Sequence, residues 1–353
     1  MIWKEYIMTI NNRSYKNGFL GFPSTLTDEY NSRQAQGFDI GRVIEEHKQR
    51  YIVETETGVV EAEVIGNLLY TALSREDFPA VGDWVVLMPY DEDKAIIHEV
   101  LPRFNTLSRR DHLVATNIDG ACIVTTPNRD FSMARLERYV SLCHQSNITP
   151  FIVVNKIDLV SSEDINTIRE DIGSLATSLF ISCVDNISTE ELKACFQPTK
   201  TYIMLGSSGV GKTSIINHIL GTPLLATQEI SEKVQRGKHQ TTSRHLLELP
   251  NGSYLIDNPG VREVGIADHK EGIEQTFDQI EALSSQCYYG DCSHQHERGC
   301  AVTQAVSDGT LSEGSYQHYL KLIKEASHYE ATSLERKQKG KQLSKLIRKV
   351  KNR

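Results

Sequence analysis

The stretch Gly206-Ser-Ser-Gly-Val-Gly211-Lys212-Thr213 fits the phosphate-loop pattern G-x-x-x-x-G-K-[ST] and decides the fold of this chain. An apolar segment, residues 201–205, precedes it, and a helical pattern, residues 214–220, follows it, as the motif requires. Glycines let backbone N–H groups turn inward around phosphate oxygens, and the helix start adds positive potential. We therefore predict a nucleotide site that uses the whole loop. Its predicted contacts are Gly206, Ser207, Ser208, Gly209, Val210, Gly211, Lys212, Thr213 and Ser214.

Two side chains of this loop carry the predicted chemistry. Lys212 is expected to bridge the β- and γ-phosphates and to act in catalysis, and the Thr213 hydroxyl is expected to bind Mg²⁺. The alternative is a glycine-rich turn between a strand and a helix. The loop alone does not distinguish GTP from ATP.

A guanine-specific motif lies upstream of the loop. Asn155-Lys156-Ile157-Asp158 follows the predicted strand 150–154. The Asp158 carboxylate can accept hydrogen bonds from the ring N1–H and the exocyclic amine of guanine, whereas adenine would leave it unpaired. Asn155 and the Lys156 stem are expected to brace the loop, and Ser182 and Cys183, after strand 179–181, are expected to give a second base contact. The alternative for each of these two segments is an ordinary loop at the end of a strand, without a role in base binding.

The order of the two motifs is reversed relative to the common GTPase order. Asp158 precedes Gly206 by 206 − 158 = 48 residues. The same sheet can still form if the chain enters it at a different point, since circular permutation is tolerated where termini lie close together. Strand and helix patterns alternate over residues 103–270, which predicts a circularly permuted α/β domain with a parallel sheet.

Two further segments fit a nucleotide site. Asp257 ends the predicted strand 253–256 and is followed by Gly260, which suits a water-mediated Mg²⁺ contact and an N–H contact to the γ-phosphate. Upstream, Thr241 or Thr242 can complete the Mg²⁺ coordination, and the sequence does not distinguish them.

The residue that orients the attacking water is not at its usual place. Val261, rather than glutamine, follows Gly260. His239 is therefore our candidate for this catalytic role, with a solvated loop histidine as the alternative.

The seven cysteines include a cluster near the C-terminal end. An odd count in a chain without a recognisable secretory signal favours reduced thiols, and a cluster favours metal over disulfides. The spacing C-x4-C-x-H-x5-C offers three thiolates and one imidazole, which is a closed structural zinc set. The predicted ligands are Cys287, Cys292, His294 and Cys300, with His296 as a less favoured substitute for His294.

The remaining parts of the chain flank the nucleotide domain. Residues 36–102 carry short β-branched segments separated by turn signals, which predicts a small barrel such as an OB-fold, or another small β-domain. Residues 1–35 form a polar extension without an assigned role. Residues 271–353 are mainly helical in pattern. Their basic tail, 336–353, has nine Lys or Arg and no acidic residue, so it is either an RNA-phosphate contact or a solvated helix end.

Composition excludes some classes of protein. The 353 residues are 39% hydrophobic and 24% charged, which is ordinary for a globular protein of two or three domains. There is no apolar run of about 18 to 20 residues and no signal-peptide pattern, so we expect a cytoplasmic monomer with no membrane partner. The net charge of −8 argues against indiscriminate nucleic-acid binding but allows a local basic face.

The order N-K-x-D, G-x-x-x-x-G-K-T, G-K-H-x-T-T, D-x-P-G and C-x4-C-x-H-x5-C resembles the ribosome small subunit-dependent GTPase A (RsgA) family over residues 36–320. The resemblance implies an OB-fold domain, a circularly permuted GTPase domain and a zinc-binding domain. It implies hydrolysis of GTP to GDP and phosphate, stimulated by the small ribosomal subunit, and a role in late maturation of the 30S subunit. It also implies recognition of 16S ribosomal RNA by the outer domains, one structural Zn²⁺, and Mg²⁺ with GTP. His239 matches the switch histidine of the family.

The chain departs from the family pattern at four positions. Lys238 and Gln240 replace the Arg and Thr of G-R-H-T-T-T, Asn258 replaces the Thr of D-T-P-G, and Cys183 replaces the Ala of S-A. A GTP-dependent rRNA-binding scaffold with incidental hydrolysis is the alternative function. An ATP-using phosphoryl-transfer enzyme is a third, against which the guanine motif argues.

Overall fold

The computed structural model describes residues 21–47, 50–64, 66, 68, 75–109, 112–128, 131–221, 244–257 and 270–326. The chain divides into two compact units. The first contains Met1–Met133 and Ser146–Glu263, and the second contains Ala134–Gln145 and Val264–Arg353. No helix in the described part is both long and apolar enough to cross a membrane.

The first unit begins with helix α1 and a five-stranded barrel. The elements are α1 (Thr27–Ala35), β1 (Asp39–Glu46), β2 (Tyr51–Thr55), β3 (Gly58–Val64), β4 (Trp84–Asp91) and β5 (Lys94–Val100). The strand order is β1-β2-β3-β5-β4, and pairing of β1 with β4 closes the barrel. Alternating apolar residues such as Val43, Val53, Val85 and Ile97 fill its interior. The predicted small barrel is confirmed.

Part of the predicted N-terminal extension packs on this barrel. The ring of Phe22 lies 4.7 Å from that of Trp84 and 5.3 Å from that of Tyr30, centroid to centroid, with edge-on geometry. Arg33 of α1 forms an ion pair of 2.5 Å with Glu99 of β5. Part of the extension therefore contacts the barrel through an aromatic contact and an ion pair.

The nucleotide domain follows a short hairpin. Its strands are β6 (Thr106–Arg109) and β7 (His112–Thr116) in the hairpin, and β8 (Gly120–Thr125), β9 (Thr149–Asn155), β10 (Thr177–Ile181), β11 (Thr201–Leu205), β12 (His245–Glu248) and β13 (Tyr254–Asp257) in the sheet. Its helices are α2 (Met133–Gln145), α3 (Ser162–Ile172), α4 (Thr189–Ala194) and α5 (Lys212–Leu220). The sheet order is β10-β9-β8-β11-β13-β12, parallel except for β12.

This order brings the two reversed motifs to one edge. Strand β11, which leads into the phosphate loop, lies between β8 and β13, and β9, which ends at the guanine motif, lies beside β8. Because the strands are parallel, their carboxyl ends share an edge, where α/β folds bind ligands. The chain enters this sheet at β8 rather than at β11, as the reversed spacing predicts.

The second unit is helical, as predicted. It contains α2, α6 (Lys270–Thr276), α7 (Asp278–Ser284), α8 (Ala301–Ser307) and α9 (residues 313–326). Ile273, Phe277 and Leu322 belong to its apolar core. Arg138 of α2 donates two hydrogen bonds, of 2.7 and 3.1 Å, to Glu325 of α9. Helix α2 therefore lies in sequence within the nucleotide domain but packs with the C-terminal helices.

Candidate functional site

The phosphate loop adopts a conformation that only glycine permits at its ends. Gly206 has φ +138°, and a Cβ there would lie 2.3 Å from the carbonyl oxygen of Val124. The following helix begins at Lys212, two residues earlier than the pattern predicted. The backbone N–H groups of the first turn of α5 therefore lie at the end of the loop, where they can bind an anion. Thr213 and Ser214 lie in that turn, partly buried.

Lys212 lies inside the loop. Its Nζ donates hydrogen bonds of 2.7 Å to the carbonyl oxygens of both Gly206 and Ser207. Burial lowers the pKa of Lys212, and the charge of Asp257, at the end of β13, acts in the opposite direction. A partly buried ammonium group surrounded by loop backbone can bind phosphate oxygens strongly, because little water screens it.

The guanine motif contacts the phosphate loop directly. Asn155 Nδ2 donates to the carbonyl of Val210 over 3.0 Å, and Lys156 Nζ donates to that of Gly209 over 2.9 Å. Lys156 has a left-handed backbone, φ +67°, which turns the motif toward the loop. A Cβ on Gly211 would lie 2.3 Å from Asn155 Nδ2. The predicted bracing role of Asn155 and Lys156 therefore agrees with the geometry.

The predicted second base loop reaches the carboxylate of Asp158, the predicted guanine contact. The hydroxyl of buried Ser182 donates a 2.6 Å hydrogen bond to Oδ1 of Asp158 and accepts one of 3.1 Å from the backbone N–H of Asp185. These bonds fix the orientation of the Asp158 carboxylate, as two simultaneous bonds to a base require. Burial, followed by the charge of Asp158, raises the pKa of neighbouring Cys183 to about 11, so its thiol is neutral at pH 7.

The side-chain oxygen of Asn155 is a second feature of the contact between the guanine motif and the phosphate loop. The side chain of Asn155 is 2% exposed, and its Oδ1 is buried with no hydrogen-bond partner among the described residues. A buried acceptor without a donor costs about 1–3 kcal/mol, which a ligand or a water molecule can recover.

Several predicted residues lie outside the described part of the chain. They are His239, Thr241, Thr242, Gly260 and Val261, together with residues 1–20 and the basic tail 336–353.

The four predicted metal ligands come together in the second unit. The ligand atoms of Cys287, Cys292, His294 and Cys300 all lie within 4.8 Å of one another. Sγ of Cys287 lies 3.9 Å from Sγ of Cys300, and His294 Nδ1 lies 3.6 and 3.5 Å from these two sulfurs. A tetrahedral zinc ion would separate two sulfurs by about 3.8 Å and sulfur from nitrogen by about 3.6 Å. The set can therefore hold a tetrahedral metal ion, with His294 rather than His296.

The loop around His294 is held by a carboxylate that the sequence analysis missed. Glu297 accepts hydrogen bonds from Ser293 Oγ and from the backbone N–H groups of Ser293, Gln295 and His296. These bonds, led by that from the Ser293 hydroxyl, hold the pKa of Glu297 far below its usual value. They stabilise the left-handed backbone of His294, φ +59°. The only signal in the sequence is an acidic residue three positions after a ligand.

A phosphate loop on a central parallel strand, with an upstream N-K-x-D motif bonded to it, defines a circularly permuted P-loop GTPase. A family model described as "RsgA GTPase" matches residues 100–267. The chain is 37% identical to Small ribosomal subunit biogenesis GTPase RsgA 1 of Oceanobacillus iheyensis, over 86% of this chain and 88% of that one. It is 34% identical to the protein of the same name from Bacteroides thetaiotaomicron, over 98% and 99% of the two chains. The chain belongs to the RsgA GTPase family.

Solved structures agree with this assignment. The crystal structure of YjeQ from Thermotoga maritima matches with a TM-score of 0.64 and 27% identity, over 82% of this chain and 98% of that one. The crystal structure of YloQ, described as a circularly permuted GTPase, matches with a TM-score of 0.61 and 26% identity, over 82% and 96% of the two chains.

The contact between Gly211 and Asn155 gives a first prediction. Gly211→Ala should weaken binding of a fluorescent GDP analogue about 10- to 100-fold more than Gly209→Ala. Both glycines have positive φ, but a Cβ on Gly209 meets nothing within 4 Å, whereas one on Gly211 forces the two motifs apart. Fluorescence titration measures both affinities, and thermal melting checks that both variants fold. Equal affinities for the two variants would contradict the docking of the guanine motif on the loop.

The metal set gives a second prediction. Cys300→Ser should lower the bound metal, measured by mass spectrometry of the purified protein, from about one ion per chain to almost none, because a structural site needs all four ligands. Cys195→Ser is the matched control, since Cys195 is a partly buried thiol outside the cluster. Full metal retention in Cys300→Ser, or equal loss in both variants, would rule out this ligand set.

Proposed function

We propose that this protein binds the small ribosomal subunit, hydrolyses GTP to GDP and phosphate, and acts in late maturation of the 30S subunit. The observation that carries the nucleotide part is the pair of hydrogen bonds from Asn155 and Lys156 to the phosphate loop. The ribosomal part is supported by family membership and by the names of the relatives, which are small ribosomal subunit biogenesis GTPases.

We assign the following roles within the nucleotide site. Asp158 reads guanine, with Ser182 and Cys183 completing the base loop, and Lys212 binds the β- and γ-phosphates. His239 orients the attacking water. Mg²⁺, when bound, neutralises charge that develops across the phosphates. The residues assigned to hold it or its water shell are Thr213, Asp257 and one of Thr241 and Thr242, and Gly260 is assigned to the γ-phosphate.

We assign the Cys₃His set to one structural Zn²⁺. Three thiolates and an imidazole favour this ion, and a set of four protein ligands leaves no open position for catalysis.

We assign recognition of 16S rRNA to the barrel, residues 36–102, and to the C-terminal part, residues 271–353, on either side of the GTPase domain, residues 103–270. With a net charge of −8, the protein needs local basic segments for this contact, and the tail 336–353 supplies nine cations. The proposed working form is a cytoplasmic monomer.

A second candidate is a GTP-dependent rRNA-binding scaffold with incidental hydrolysis. It is favoured by Val261, which stands where a glutamine usually orients the attacking water.

GTP turnover with purified small subunits, with large subunits and without ribosomes separates the two candidates. We expect small subunits, but not large subunits, to raise kcat at least about tenfold, because partners that complete a GTPase site commonly raise its turnover by more than tenfold. His239→Ala should abolish the increase while leaving GTP affinity within about twofold. Tight GTP-dependent binding to small subunits with no increase in turnover would support the scaffold instead. No preference for small over large subunits would contradict the proposed function.

A further inference from the structure

A row of three side chains connects the barrel to the nucleotide site. In the strand pairing, Glu45 of β1 lies opposite His245 of β12, and His245 lies opposite Asp257 of β13. Directly opposed residues of antiparallel strands point to the same face of a sheet, with Cβ atoms about 4.5–5.5 Å apart. Glu45, His245 and Asp257 therefore form one continuous row on one face. Its far end is the carboxylate whose charge acts on Lys212.

A β-bulge puts Glu45 in this row. The pairing of β1 with β2 shifts between Val43, which faces Val53, and Glu45, which faces Ile52. Without the shift, strand alternation would place Glu45 opposite Tyr51, in the barrel core with Val43 and Val53. The extra residue turns Glu45 to the outer face instead, and bulges commonly re-aim side chains in this way.

At the barrel end of the row, Glu45 lies beside His245. His245 is 5% exposed, and its Nδ1 lies 3.5 Å from Oε2 of Glu45. On the same outer face, buried Arg42 donates a 2.8 Å hydrogen bond to Thr201 Oγ1, and its guanidinium lies 5.2 and 5.4 Å from the rings of Trp84 and Tyr254. Strand β1 is thus held against β11 and β13, and Oε1 of Glu45 lies 3.1 Å from Nε2 of His47.

We propose that His245 is a positioning residue for Asp257, and that Glu45 of the barrel sets the orientation of His245. The inference rests on the proposed nucleotide role of Asp257. His245 occupies the register position between Glu45 and Asp257. Groups that orient a metal-site carboxylate commonly change affinity about 10- to 100-fold when removed. The nucleotide site is thereby coupled to the position of the barrel.

The chain offers a matched control in the next residue. Oε2 of Glu46 lies 3.5 Å from Nη1 of Arg244, the same distance that separates Oε2 of Glu45 from Nδ1 of His245, and Arg244 directly precedes His245 in the chain. Successive strand residues point to opposite faces, so Glu46 is outside the row. A contact that only docks the barrel would make both glutamates equally important.

The test measures binding of a fluorescent non-hydrolysable GTP analogue at varied Mg²⁺ concentration, in the full chain. Glu45→Gln should raise the Mg²⁺ concentration needed for half-maximal binding about tenfold, whereas Glu46→Gln should change it less than about twofold. In an Asp257→Asn background, the effect of Glu45→Gln should disappear. Thermal melting of all variants records any common loss of stability.

The outcomes separate this inference from the proposed function. If Asp257→Asn alone leaves Mg²⁺-dependent binding unchanged, the assigned role of Asp257 fails. If Asp257→Asn weakens binding while Glu45→Gln and Glu46→Gln behave alike, the coupling row is wrong and the nucleotide role stands. Persistence of the Glu45→Gln effect in the Asp257→Asn background would also overturn the row.

Discussion

The hydrogen bond from Asn155 Nδ2 to the carbonyl of Val210 is the contact on which the rest of the nucleotide site depends. It joins two segments that the chain presents in reversed order and that lie 210 − 155 = 55 residues apart. The contact requires a glycine at 211, because any Cβ there would collide with the Asn155 amide. It also sets where Asp158 lies, since the N-K-x-D motif turns through the left-handed Lys156 immediately afterwards.

Permutation changes what the two ends of the nucleotide domain are attached to. The domain follows the barrel in the sequence, and its last strands, β12 and β13, precede the helices on either side of the Cys/His cluster. Strand β12 also pairs with β1 of the barrel, so one continuous hydrogen-bonded sheet extends from the barrel to the phosphate loop. The barrel is thereby linked, through β12 and β13, to Asp257 at the edge of the sheet that carries the phosphate loop.

Most of the fold and of the nucleotide site could be predicted from the sequence, because the signals for them are local. Phosphate and guanine recognition need particular residues at fixed short spacings, and buried parallel strands such as β8, β9 and β11 are runs of apolar residues. The four predicted metal ligands are likewise particular residue types at short, fixed spacings. These signals are local, so they are visible without the three-dimensional structure.

The features that the sequence did not reveal depend on long-range contacts. Strand β1 carries Arg42 and two glutamates, so its pattern is not that of a buried strand. Arg42 is nonetheless buried, because it lies between two rings and bonds to Thr201, 159 residues away. The pairing of β1 with β12, and the carboxylate of Glu297 that orders the His294 loop, are likewise set by tertiary structure.

We propose that Asp158, held by Ser182 and docked on the phosphate loop through Asn155, selects guanine. Competition of GTP and ATP for the site, in the wild type and in Asp158→Ala, tests it most directly, with Asp171→Ala on the exposed face of α3 as the control. We expect the wild type to prefer GTP at least about 100-fold, and Asp158→Ala to lose GTP affinity while its ATP affinity stays unchanged. Equal wild-type affinities, or an equal loss of both nucleotides in Asp158→Ala, would contradict it.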